Sequence, residues 1–409
     1  MTESVSNNWA CHTCGTENPR TVTRCKKCGF TSLDAEGISN ELAEFNQRLV
    51  SISPSTPITY LLVALNIGVF VLMALNGYGL VNVNPAMAVD WGSNYGPMTL
   101  NGEWWRLLTS TFIHFGLVHI AFNMYVLFAS GRLIERIFGS SHFLLLYLFS
   151  GLTGSMVSLL SNPFVNSAGA SGAIFGIFGG ILAFVLNKKN AVPPDVMLEH
   201  SKSTAIFIAY NLLNGFTHSG IDNGAHIGGL VGGICLGYLL SRPLESSARN
   251  HLFTKQLGIA CASGVLVLAG LTIIIAHRDD HMNAESHFIF AEAKFVKDET
   301  SIRELANEWL RKSGKSDVAN KLTADKLDSE VIPQMQKHYD SIANPIVDSN
   351  SKYFELQSLY IKYLSDRITY YKLASGSLRN NDSGLALEAK KYLEAVALDL
   401  DAIKNINVH

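Results

Sequence analysis

Two residues in the apolar middle of the chain have the types and placing needed for acyl transfer. Ser171 stands in Gly169-Ala170-Ser171-Gly172, near the start of the run 166–186, which carries no charged residue. His226 stands near the start of a second apolar run, 224–240. A serine hydroxyl is a poor nucleophile until a base accepts its proton, and an imidazole is suited to that task near neutral pH. An ionisable ring at membrane depth is costly, which points to function. An acyl intermediate also needs donors for its oxyanion. Asn123 offers an amide NH2, His119 a ring N–H, and Ser171 its own backbone N–H. His119 and Asn123 are four residues apart and share one face of a helix. No Asp or Glu lies inside either run, so the expected unit is a Ser–His dyad whose ring is oriented by packing. A separate constellation opens the chain. Cys11, Cys14, Cys25 and Cys28 form two C-x-x-C pairs with ten residues between them, the spacing of a closed tetrahedral zinc site. Such a zinc is structural, with no open position for catalysis, and no catalytic cofactor is expected.

The elements that must position these groups are membrane helices. The chain has 409 residues, 48% hydrophobic and 16% charged, against about 25% charged in a soluble domain. Seven apolar segments are expected at 58–76, 117–137, 142–160, 168–186, 203–217, 224–241 and 257–276. The fifth is short and places Tyr210 and Asn211 at depth. Gly172, Gly176 and Gly180 line one face of the fourth segment; Gly228 and Gly232, or Gly229, Gly233 and Gly237, line faces of the sixth. Faces of small residues let two backbones approach closely, and most serines on such faces only pack.

Orientation follows from basic residues in short loops. Arg132 and Arg136 end the second segment, Lys188, Lys189 and Lys202 follow the fourth, and Arg242, Arg249 and Lys255 follow the sixth. The N-terminus is therefore expected in the cytoplasm and the tail outside. The second, fourth and sixth helices then start on the outer side, which brings Ser171, His226, His119 and Asn123 to one level. Residues 77–110 form a long connection whose Trp91, Tyr95, Trp104 and Trp105 suit a membrane interface. The linker has an amphipathic stretch at Leu42, Phe45 and Leu49, stopped by Pro54 and Pro57. The polar tail has helical periodicity at Phe354, Leu356, Ile361, Leu364, Ile368 and Tyr371, with breaks expected at Pro333, Pro345, Gly376 and Gly384. Cys235 and Cys261 read as small hydrophobes, and His142, His200 and His218 as solvated. A formal net charge of −2 gives no bulk attraction to nucleic acid.

Several motifs in order over 58–276 resemble the rhomboid intramembrane serine proteases. They are Trp105-Arg106, then His114, His119 and Asn123, then Gly131-x-x-x-Glu135-x-x-x-Gly139, Gly169-Ala170-Ser171-Gly172 and Ala225-His226-x-Gly228-Gly229. The resemblance implies Ser171 as nucleophile, His226 as general base, and an oxyanion hole from His119, Asn123 and the Ser171 amide. It places Phe175 where an aromatic ring stacks on the histidine. Stabilising roles are expected for Phe175, Trp105 and Arg106, a cap or ion pair for Glu135, and loop support for His114. The implied fold is all-α and polytopic: a rhomboid-like six-helix core plus a seventh transmembrane helix, with a small N-terminal zinc finger and a C-terminal soluble helical domain. The domains are expected at 1–35, a linker at 36–57, the transmembrane protease at 58–278, and the tail domain at 279–409. The implied substrates are single-pass membrane proteins cut near the outer face, and the default location is a bacterial inner membrane. A tightly packed membrane scaffold or transporter is the competing class. Trp9, Asn18 and the four cysteines resemble a Ran-binding-protein-type zinc finger, a class that binds single-stranded RNA or, in a subgroup, ubiquitin. That subgroup carries Thr-Phe where this chain has Gly15-Thr16. Arg20, Arg24, Lys26 and Lys27 could meet a phosphate or anionic lipid. No partner of the tail is named by the sequence.

Overall fold

The computed structural model describes residues 8–11, 14–19, 22, 25–28, 44–45, 47, 49–51, 55–81, 83–187, 190, 194–217, 221–241, 253–276 and 280–406. Arg20, Arg24, Leu42, Pro54, Lys188, Lys189, His218, Arg242 and Arg249 lie outside them, as do the side chains of His200 and Lys255. The chain divides into two units: Met1–Asn94 with Trp105–Ile273, and Tyr95–Trp104 with Ile274–His409.

Among the described residues the first unit holds a short hairpin, β1 (Asn8–Ala10) against β2 (Glu17–Pro19), and seven long helices. These are α1 (Pro57–Leu75), α2 (Leu117–Phe138), α3 (Ser140–Ser161), α4 (Ser171–Leu186), α5 (Pro194–Thr217), α6 (Asn223–Leu240) and α7 (Phe253–Ala276). By length and composition, α1, α2, α3, α6 and Gly258–Ile275 of α7 suffice to cross a membrane. Outward faces such as Tyr60, Leu61, Leu65 and Leu72 of α1 are exposed and apolar, as a lipid solvent requires. α4 is shorter, and 13 of its 16 residues are buried, so it is enclosed by protein. α5 starts earlier than the expected 203. Its polar Asn211 spends its amide on the Phe207 carbonyl at 2.9 Å, which makes the residue tolerable at depth.

Close backbone approach fixes the centre of this unit. A Cβ built on Gly229 would lie 2.0 Å from the Gly172 carbonyl oxygen; on Gly233, 2.2 Å from that of Gly176; on Gly237, 2.8 Å from the Gly180 Cα. The partners advance together by four residues, so α4 and α6 run parallel. Gly228 and Gly232 face α3 instead, where Val157 and Thr153 occupy the space a side chain would need. The two glycine stripes of α6 thus serve two different helices.

Glu135 ties α1 to α2. It is fully buried and accepts from the Ile58 and Thr59 N–H groups at 3.0 and 2.8 Å, from the Thr59 hydroxyl at 2.7 Å and from the Ser140 hydroxyl at 2.6 Å. The carboxylate is therefore the N-terminal cap of α1, supplied from a distant helix. Phe45 and Leu49 are buried in the same hydrophobic core, which spends the amphipathic face of the stretch before α1. His142 is a correction. It is wholly buried and not solvated, because α3 begins at Ser140 and draws it into its first turn.

The second unit packs α8 (Asp280–Lys312), α9 (Asp317–Lys326), α10 (Ile332–Ala343), α11 (Phe354–Asn380) and α12 (Ser383–Asn405) around Phe288, Phe295, Leu327, Met335, Tyr363 and Leu364. It includes a helical turn, Gly96–Thr99, from the α1–α2 connection. Pro333 and Gly376 do not break the chain as expected. Pro333 stands just after a π-helical turn, Leu327–Val331, that joins α9 to α10, so the helical path runs on through it. Gly376 lies inside α11, where a Cβ would press on Leu385 at 3.3 Å.

Candidate active site

Ser171 is the first residue of α4, and His226 lies in the first turn of α6. The parallel glycine packing brings these two ends together. His226 Nε2 is 3.0 Å from Ser171 Oγ. Phe175, one turn beyond Ser171, lies flat on the imidazole with centroids 4.2 Å apart and planes 6° from parallel. That stacking limits ring rotation, so packing orients the histidine.

Around the pair is a cavity of about 390 Å³, lined by His119, Asn123, Ser171, Phe175, Asp222 and His226 among others. The Phe115 N–H donates to His119 Nδ1 at 3.2 Å. A neutral His119 ring accepting there carries its proton on Nε2. Gly169, at φ +131°, is required at this point: a Cβ would lie 2.9 Å from His119 Nε2 and 3.8 Å from Ser171 Oγ. The imidazole and the hydroxyl therefore crowd the same side of Gly169. Asn123 gives one amide hydrogen to the His119 carbonyl at 2.9 Å and keeps a second for the cavity it lines. A hydroxyl with an adjoining base, and N–H groups grouped beside it, can carry nucleophilic attack and hold the charge that develops.

Surrounding loops hold this geometry. The Ala170 N–H donates to His114 Nε2 at 3.3 Å, and the Gly169 N–H to the Ser110 carbonyl at 2.9 Å. Asn94 and Ser167 exchange two backbone hydrogen bonds of 2.9 Å. Arg106 is buried and donates to the Val89 carbonyl and to that of Ser93 at 3.1 Å, with its guanidinium 4.8 Å from the Trp105 ring centre. Trp105 and Arg106 fasten the loop and do not line the cavity. Asp222 lines it too, a residue not expected from the sequence because it stands outside both apolar runs. Its signal was its place just before an apolar run, where Asp commonly caps a helix.

The four thiols near the N-terminus lie within 4.8 Å of one another. Cys11–Cys28 and Cys14–Cys25 are each 3.5 Å apart, sulfur to sulfur. A tetrahedron of sulfurs about 2.3 Å from zinc has edges of about 3.8 Å, so the donor set fits. Burial works to raise the Cys25 thiol, but the Cys28 and Lys27 N–H groups bring it down to about 6, which favours the metal-binding thiolate. Asn18 is buried and joins the two knuckles, donating to the Thr16 carbonyl at 2.8 Å and accepting from the Lys26 N–H at 2.9 Å.

A family model described as Rhomboid domain matches residues 101–243. The chain is 33% identical over 303 residues to the rhomboid protease GluP of Bacillus subtilis (strain 168), which covers 74% of this chain and 57% of that protein. It is 37% identical over 158 residues to YdcA of the same strain, covering 38% of this chain and 77% of the relative. It is 29% identical over 265 residues to the rhomboid protease AarA of Providencia stuartii, covering 58% and 89%.

Proposed function

The chain belongs to the rhomboid family, and from that membership and the site geometry we propose that it is an intramembrane serine endopeptidase with a Ser171–His226 dyad. The observation that carries this reading is the 3.0 Å approach of His226 Nε2 to Ser171 Oγ under the Phe175 ring. Ser171 Oγ attacks the scissile carbonyl as its proton passes to His226 Nε2. The tetrahedral oxyanion is held by the Ser171 N–H, His119 Nε2–H and the Asn123 amide. The proton then goes to the leaving amine, which leaves an acyl-enzyme. Water hydrolyses that ester with His226 again as base.

The substrates are single-pass membrane proteins, cleaved near the outer face. A helix protects its own amides, so a substrate must unwind locally to present a carbonyl, which favours segments containing Gly or Pro. A bacterial inner membrane is the location that fits, with the N-terminal finger in the cytoplasm and the tail outside. The finger, similar to the Ran-binding type, holds one structural zinc through Cys11, Cys14, Cys25 and Cys28. Elemental analysis of the purified protein tests this: about one zinc per chain is expected, falling on Cys11→Ser while peptidase activity persists.

A fluorophosphonate probe tests the catalytic reading. It labels the wild type and not Ser171→Ala, and Ser171→Ala and His226→Ala both abolish cleavage of a model membrane substrate, because the two act as a unit. Undiminished cleavage by a folded Ser171→Ala variant returns the chain to the scaffold class.

A further inference from the structure

Asp222 stands at the N-cap of α6, one turn before His226. Its Oδ1 accepts the Ala225 N–H at 2.9 Å, and its carbonyl accepts the His226 N–H at 3.2 Å. Residues four apart in this first turn present their side chains to the same face. Two polar atoms on that face are buried without a hydrogen-bond partner among the described residues: Asp222 Oδ2 and His226 Nδ1. A buried acceptor left unsatisfied is destabilising, and so is a buried donor. These two are complementary, since a neutral His226 with Nε2 free to accept from Ser171 carries its proton on Nδ1.

Among the described residues, Asp222 is also the only carboxylate lining the cavity. From α2 the cavity receives His119 and Asn123, from α3 Gly151 and Ser155, from α4 Ser171 and Phe175, and from α5 Phe207 and Asn211. None of these can supply a negative charge, apart from the reacting serine. Yet attack by Ser171 creates an imidazolium in a site of low dielectric, where a counter-charge acts strongly.

We propose that Asp222 is a positioning residue of this site, holding the His226 proton on Nδ1 and balancing the imidazolium that forms when Ser171 attacks. The side chains are not in direct hydrogen bond, so the role runs through a bridging water or through the charge alone, and Asp222→Asn removes the charge in either case. Asp222 takes no proton itself. The transferred proton runs from Ser171 Oγ to His226 Nε2 and on to the leaving amine. The role rests on the dyad reading above and completes it with a charge from outside both apolar runs.

The experiment compares the full-length wild type with Asp222→Asn, Asp222→Glu and Ser171→Ala in detergent, measuring kcat, KM and thermal midpoint on a model membrane substrate. Asn caps a helix about as well as Asp and lacks only the charge. Asp222→Asn should keep the thermal midpoint and KM of the wild type while kcat falls at least about tenfold. Labelling by the fluorophosphonate should slow in parallel, and Asp222→Glu should recover part of the rate. Wild-type kcat in Asp222→Asn, with Ser171→Ala inactive, overturns the role of Asp222 alone. So does a loss of kcat matched by a loss of thermal stability. Cleavage by Ser171→Ala overturns the dyad and this inference together.

Discussion

Among single residues, Asn123 separates transition-state stabilisation from substrate binding. One amide hydrogen is fixed on the His119 carbonyl, which holds the side chain in place, and the cavity receives the rest. Asn123→Ala should lower kcat by about 10²–10³ with KM unchanged, since the donor it removes acts only as charge develops. A rise in KM at constant kcat, read from steady-state kinetics, would make Asn123 a substrate contact instead. How far single residues were legible depended on whether their neighbours in sequence are their neighbours in space. His119 and Asn123 are one turn apart, so their pairing could be read directly. Ser171 and His226 are 55 residues apart, and their meeting was hinted at by the glycine spacing, by the shared level that the loop charges give them and by the motif resemblance. The backbone donation from Phe115 that sets the His119 tautomer depends on loop geometry that no spacing encodes. His142 lies outside the motifs and was expected in solvent, but α3 starts two residues before it and buries it in the first turn.

At the scale of elements, the α4–α6 contact decides whether a site exists at all. A side chain on Gly229 would meet the Gly172 carbonyl, which is backbone and cannot rotate away. Gly229→Ala should force the helices apart, costing about 1–3 kcal/mol as an overpacked contact does. It should also lengthen the Ser171–His226 approach, with cleavage and probe labelling lost together. Gly258→Ala in α7 is the control: a Cβ there meets nothing within 4 Å, so stability and activity should be kept or slightly improved. Equal behaviour of the two variants in thermal melts and probe labelling would remove the close-packing argument. Both glycine stripes of α6 were visible in the sequence, but not which helix each faces. That assignment depends on which carbonyls and side chains stand opposite. The helical segments themselves were legible because lipid-facing and enclosed helices are both apolar. Their ends were less so: α5 begins in a polar stretch from Pro194 that its hydropathy does not mark.

For the molecule as a whole, the parallel run of α4 and α6 constrains topology beyond composition. Two spans that run the same way need a return crossing between them, so the proposed topology takes α5 across the membrane, although it is not among the helices marked by length and apolarity. With α1 to α3 and α7 the proposed topology has seven crossings, which would put the tail on the side opposite the N-terminal finger. The loop charges favour a start inside: Arg132 and Arg136 end the second span, Lys188 and Lys189 follow the fourth, and Arg242 and Arg249 follow the sixth. A second line of argument is independent of charge. Tyr95–Trp104 belongs to the connection between α1 and α2, on the outer side by this count, and it packs in one unit with Ile274–His409. A tail on the same side as that connection is what an odd number of crossings expects, and an even number does not. A cysteine introduced at exposed Leu398 of α12, in a background lacking Cys235 and Cys261, should react with a membrane-impermeant thiol reagent in intact cells. The same cysteine at exposed Lys27 of the finger should react only after lysis. Protection of the tail site until lysis would overturn the seven-crossing count and, were α5 the span lost, would contradict the parallel packing of α4 against α6. The labelling pattern therefore tests the helix packing as much as the orientation.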